Sequence, residues 1–197
     1  MKNRKMLLVA AIMLVSVSMV SSLVFRSSVS SEAQTTSNPD MRIFLNIQGI
    51  LGESQDTNHK DWIEIEAFNW SEAAASVIAG RGAGVVSMKD FIFVTATSRA
   101  SPRLFLAVAT GQVFPQVELQ CWTGSGETTW TEFLRFQFES VVITSYNVAG
   151  SAPDYRPVDQ FSITFRKITM TYWMINADGS QGTAVSAWYD LTTRRGG

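Results

Sequence analysis

The sequence is poor in the groups that most often carry chemistry. Its 197 residues include one cysteine, Cys121, and one histidine, His59. A lone cysteine forms no intrachain disulfide, so stability has to come from a core even in an oxidising compartment. Cys121 is in phase with Val117 and Leu119, which predicts a buried, inert thiol. A histidine with no second His or Cys nearby completes no zinc site, and no serine sits in a strand-to-helix elbow to make a triad with it. Charge is sparse too. Charged residues make up 17% of the chain and the net charge is −1, which provides no basic field for nucleic acid. Gly80, Gly82 and Gly84 have no third glycine at the spacing of a phosphate loop and no Lys-Ser/Thr after them, so they read as a flexible connection. Glu64 and Glu66 share one strand face, whereas a glycosidase pair faces a cleft from separate elements. No metal or cofactor is implied.

Long apolar runs are absent except at the start. Lys2, Arg4 and Lys5 precede an uncharged stretch from Met6 to Phe25, and a serine-rich segment leads to Ser31-Glu32-Ala33. This reads as an export signal over residues 1–33, cut before Gln34. The rival reading is an uncleaved membrane anchor, since about twenty apolar residues span a bilayer. With no cysteine near the cut, a lipoprotein is excluded. Cleavage leaves 12 basic against 16 acidic residues. Residues 34–40 read as a polar linker and 41–197 as one domain.

What is present in that domain is alternation. Ile43, Leu45 and Ile47 interleave with polar residues, as in a half-buried strand. Trp62–Trp70 predicts a second strand, with Ile63, Ile65 and Ala67 on one face and Glu64, Glu66 and Phe68 on the other. Val85–Ala96 predicts a third. "SRASPRLFLAVATG" predicts the one convincing helix, with Ser101 as N-cap, Pro102 at the first helical position and Gly111 closing it. Val113–Cys121 returns to alternation, with Gln116, Glu118 and Gln120 facing water, and Phe133–Tyr146 and Val185–Leu191 are further strands. Between Phe165 and Ile168 the apolar phase shifts by one, which predicts a bulge. The fold class is mainly β: a single closed β-barrel or tightly curled two-sheet sandwich of seven or eight strands with one short α-helix. Trp62, Trp70, Trp122, Trp130, Trp173 and Trp188 are spread over many strands and suit packing, or, in an alternative reading, an exported binding module for a glycan or small ligand.

Gly52–Asp61 joins two strands and exceeds the usual two to five residues of a hairpin loop. Glu53, Ser54, Gln55, Asp56, Thr57, Asn58 and Lys60 offer little apolar area, so the loop is expected to be solvated and its shortening to spare the fold. His59 has Asp56 and Asp61 close in sequence, but loop solvation or a subunit contact fits it better than hydrolysis.

Five segments, "GESQDTNHKDWIEIEAFNW", "KDFIFVTATSRASPRLFLAVATGQVFPQVELQCW", "VVITSYNVAGS", "PVDQFSITFRKITMTYW" and "ADGSQGTAVSAWYDL", occur in the order found in the haemolysin-coregulated protein (Hcp) family. Over nearly all of Met41–Leu191 the chain resembles that family, the tube protein of type VI secretion systems. The resemblance implies a non-enzymatic β-barrel subunit that closes into homo-hexameric rings, which stack into a hollow tube carrying effector proteins and meeting a spike protein. It also implies that Gly52, Glu53, Ser54, Gln55, Asp56, Thr57, Asn58, His59, Lys60 and Asp61 form the loop that contacts neighbouring subunits and stacked rings. Aromatics such as Phe44, Phe68 and Trp70 are expected on the outer strand faces, available to a ring contact. The chain departs from the family in its leader, which points to a periplasmic or extracellular place, with membrane contact only through an uncleaved leader and no nucleic acid.

Overall fold

The computed structural model describes residues 40–74, 86–125, 129–152 and 156–197. The leader, most of the linker and the Gly80–Gly84 segment lie outside them. The described elements are β1 (Asp40–Ile47), β2 (Ile63–Glu64), β3 (Ala67–Asn69), β4 (Glu72–Ala74), β5 (Val86–Met88), β6 (Phe91–Ala96), α1 (Ser101–Thr110), β7 (Val113–Ser125), β8 (Thr129–Ala149), β9 (Val158–Ile175), β10 (Gln181–Asp190) and β11 (Arg195–Gly196).

Every pairing among the described residues is antiparallel. The main sheet runs β11-β10-β9-β8-β7-β1-β2, and β9 also pairs with β6, which pairs with β3. The ladders themselves stay open between β2 and β3, two pieces of one sequence-continuous segment. Two backbone bonds hand the segment over: the Ile65 N–H donates to the Ile43 carbonyl and the Glu66 N–H to the Val94 carbonyl, both at 2.9 Å. The circuit is thus completed by a strand that leaves β1 for β6 in mid-course, which also explains why the single strand expected over Trp62–Trp70 is divided. The handover shifts its phase. Ile63 and Ile65 are buried as expected, but Ala67 is exposed, and Phe68 turns inward to lie 5.5 Å from Phe91.

The core is a stack of phenylalanines from three strands, β6, β8 and β9. Phe91 and Phe93 lie 5.0 Å apart, Phe93 and Phe161 5.1 Å, and Phe91 and Phe138 5.2 Å. Each is fully buried, at about 2–3 kcal/mol of transfer free energy per ring. Cys121 is buried beside them, and burial, aided by the Glu132 charge, pushes its thiol up to about 12.

The bulge expected at Phe165–Ile168 takes another form. Both residues are buried, yet the β8–β9 ladder keeps its register from Glu139↔Lys167 to Val141↔Phe165. The phase inverts on both strands together: β8 buries Phe138 and then Val141, with Ser140 between them at φ 52°. Paired strands that turn over together bend the sheet without an extra residue. The register breaks instead fall at Cys121/Trp122 on the β7–β8 ladder, at Ile143/Ser145 on the β8–β9 ladder and at Gln181/Ala184 on the β9–β10 ladder.

Helix α1 starts and stops near the expected residues for a partly different reason. Its N-cap is Ala100, with no side-chain cap bond, and Gly111 closes it at φ 63°, its N–H turned back to the Ala107 and Val108 carbonyls. Ser101 does not cap. Its hydroxyl accepts from the Ser98 N–H at 2.9 Å and donates to the fully buried Asp159, which also accepts from Thr97 Oγ1 at 2.8 Å. The helix is tied to β9 through its first residue, Ser101, which binds the Asp159 carboxylate instead of capping. Leu104 and Ala107 face the core, while Phe105 points out, 60% exposed.

Candidate interaction loop

Residues 52–61 form a compact tongue folded back on the barrel. Its two limbs run side by side: Gly52 N–H donates to Asp61 C=O (2.7 Å), Asp61 N–H to Ser54 C=O (3.0 Å) and Ser54 N–H to Trp62 C=O (3.1 Å). Glycine is required at the base, because a Cβ on Gly52 would sit 2.1 Å from the Trp62 carbonyl oxygen. The tip is turned by Asp56, whose Oδ1 accepts from the N–H groups of Asn58 (3.0 Å) and His59 (3.1 Å). That is the local bonding by which Asp favours turns. Burial would raise the Asp56 pKa, but hydrogen bonds from the His59 ring and the Asn58 backbone hold it below its ordinary value.

The solvated loop expected from composition is therefore only half correct. Glu53, Gln55, Thr57, Asn58 and Lys60 are exposed, but Ser54 is fully buried and His59 is 3% exposed. The His59 ring lies flat against Phe44 of β1, 4.1 Å away at 2°, with the edges of Trp62 and Trp122 each at 5.0 Å. Its Nδ1 is 2.7 Å from Asp56 Oδ1 and its Nε2 is 2.8 Å from Gln120 Oε1 on β7. Gln120, expected in water, is buried because the tongue covers it. Phe44 is likewise buried beneath the imidazole, and Trp70 packs on Phe91 at 5.9 Å, so neither is the free outer aromatic expected of it.

The other candidate partner of His59, Asp61, turns away from it. Arg99, just before α1, reaches Asp61 Oδ1 with Nη2 at 2.5 Å and the Gly52 carbonyl with Nε, while its backbone N–H donates to Glu53 Oε1 at 3.0 Å. Among the described residues, the ring nitrogens of His59 therefore meet a carboxylate and an amide. Glu64 and Glu66 are both exposed and border, with Arg42 and Asp56, an open groove of about 620 Å³ beside the tongue.

Sequence reasoning missed Gln120, Phe44, Trp122 and Arg99 as parts of this site. One signal was available: Phe44 and Trp122 occupy faces otherwise read as wet, and aromatics there call for a cover.

Comparison with known proteins places this geometry. The family model for the type VI secretion system effector Hcp matches residues 44–172. Protein hcp1 of Pseudomonas aeruginosa is 27% identical over 144 residues, spanning 71% of this chain and 87% of the relative. A solved type six secretion system protein superposes with a TM-score of 0.74 at 24% identity, covering 80% of this chain and all (100%) of that one, which establishes the shared fold. A type VI secretion system effector from Yersinia pestis has a TM-score of 0.60 at 33% identity, covering 75% of this chain and 98% of its own. A match over most of the barrel, with the same fold, decides the matter: this chain belongs to the Hcp family of type VI secretion proteins.

Proposed function

We propose that the protein is a structural, non-enzymatic subunit that closes into six-membered rings, which stack into a hollow tube able to carry effector proteins and to meet a spike at its end. The family membership supports this reading, and one observation carries it to particular residues. The strand face that buries Phe138 and Ile168 continues beyond the core as Met170, Tyr172 and Met174 of β9, with Val185 of β10 opposite Tyr172; all four are exposed, Val185 to 69%. An apolar face of that kind, on strands already paired along their edges, suits contact within a ring, and a stable contact buries about 1,200–2,000 Å² in total. The tongue, polar on its outer side through Glu53, Gln55, Thr57, Asn58 and Lys60, suits the contact between rings, because a polar arm leaves no sticky patch on a free ring.

Residues 1–33 act as a cleaved export signal, 34–40 as a linker, and the domain 41–197 works in the periplasm or outside the cell. Light scattering and negative-stain microscopy of the exported protein are expected to give six-subunit rings with an intact mass beginning at Gln34. Val185→Glu is expected to remain folded but monomeric. Monomer alone across a wide concentration range for the unaltered protein, or rings unaffected by Val185→Glu, would refute the assignment of this face.

A further inference from the structure

Both nitrogens of the His59 ring face acceptors, Asp56 Oδ1 at 2.7 Å and Gln120 Oε1 at 2.8 Å. Which end of the Gln120 amide faces the ring is decided by its other neighbours. The Trp122 indole N–H, a donor only, donates to Gln120 Oε1 at 3.0 Å, and Gln120 Nε2 donates to Glu118 Oε1 at 2.6 Å. Turning the amide over would set its NH2 against the indole N–H and its oxygen against a carboxylate, losing two bonds to gain one. Asp56 Oδ1 is equally committed as an acceptor, taking two backbone N–H groups besides the ring. A neutral imidazole has one N–H and one lone pair. Whichever tautomer it adopts, that lone pair meets another at hydrogen-bonding distance. The doubly protonated ring satisfies both contacts.

We propose that His59 is a proton-operated latch: with both nitrogens protonated it pins the tongue to β1 and β7, and loss of one proton releases it. The surroundings suit a cation. From the tongue itself Asp56 faces the ring; from β7, Glu118 does so through Gln120. The positive groups stand one step further off, Arg42 of β1 at 3.9 Å from Asp56 and Arg135 of β8 at 3.2 Å from Glu118. The flat contact with Phe44 presents the ring face that attracts positive charge. The sign follows from linkage. Both contacts have a donor only while both ring nitrogens carry protons, so docking weakens as pH rises. Asp56 sets the opposite limit, since its protonation removes the acceptor. If the tongue makes the contact between rings, as proposed above, stacking fades over the same rise in pH; the latch does not depend on that reading.

A single histidine makes the test clean. Protein labelled with ¹⁵N-histidine and carrying no histidine tag is followed by NMR from about pH 5.5 to about pH 8.5, the range in which histidine ordinarily titrates. Amide exchange of His59, Asp61 and Trp62, corrected for intrinsic rates, is measured alongside, with light scattering to report stacked rings. The expected result is imidazolium signals wherever the tongue amides are protected. Protection then falls about tenfold or more once the ring loses its proton, and Asp56→Asn moves that fall to lower pH. A neutral ring under a tongue that stays protected overturns the latch, as does an Asp56→Asn profile identical to the parent. Protection that follows pH while scattering does not keeps the latch and overturns the tongue's role in stacking.

Discussion

The phenylalanine stack and the tongue both rest on aromatic rings about 5 Å apart, 5.0 Å for Phe91–Phe93 and 5.0 Å for His59–Trp62. They are held in different ways. In the stack no ring carries a polar atom, and what matters is volume and area removed from water, which is non-directional. In the tongue the central ring has two nitrogens, each with one partner in one orientation, and a small change of proton count or backbone position is felt at once. The barrel therefore tolerates exchange of one apolar side chain for another of similar size, whereas the tongue tolerates little exchange at Gly52 and His59.

The strongest way to break the comparison is Phe91→Ala. Phe91 touches Phe68, Phe93, Phe136 and Phe138, and removing it should cost about 3–5 kcal/mol of unfolding free energy, read from a denaturant titration. Gly52→Ala should have a smaller and more local effect. Its Cβ would lie 2.1 Å from the Trp62 oxygen and 2.5 Å from the Ile63 Cα, so one limb of the tongue must move. A loss of about 1–3 kcal/mol is expected, together with faster amide exchange confined to the tongue and β2. An equal effect on exchange at Phe93 and Phe161 would show that tongue and core are one unit. The mildest perturbation is acid. The Asp56 carboxyl is held below its ordinary value of 3.8 in the folded tongue, so it contributes stability above that value and loses it as pH falls through its folded value. Tongue amides should lose protection on acidification before the amides of β8 and β9 do, and simultaneous loss would contradict the division drawn here.

Much of the barrel was legible in the sequence because period-two alternation is a local property. Ile43, Leu45 and Ile47 declare their strand without knowledge of any partner, and Pro102 and Gly111 bracket the helix by their own backbone preferences. What local pattern leaves out is where a strand changes neighbours. Ala67 and Phe68 exchange faces because β3 belongs to β6 and not to β1, a fact held by their partners Val94 and Phe93, far along the chain. The phase step at Ile168 was visible, but its cause was not, since Ser140 supplies the matching turn from another strand. The same limit hid the tongue's burial. Apart from Trp62 every residue near His59 in sequence is polar, and the other groups that bury it, Phe44, Gln120 and Trp122, come from β1 and β7.

Strand β9 is flanked on both edges. β8 accompanies it from Val158 to Tyr172, while its other edge is taken first by β6, up to Ile163, and then by β10, from Lys167. Ladder bonds in antiparallel sheets stand across the strand direction. A tug along β9 thus loads many of them in shear at the same instant, whereas a tug on the two-residue β11, paired only to β10 among the described residues, opens its bonds one after another like a zip. Pulled along its strands, the described sheet thus has a stiff spine at β9 and a weak hem at β11, where Arg195 and Gly196 part from Asp190 and Tyr189 while the ladders of β9 still hold.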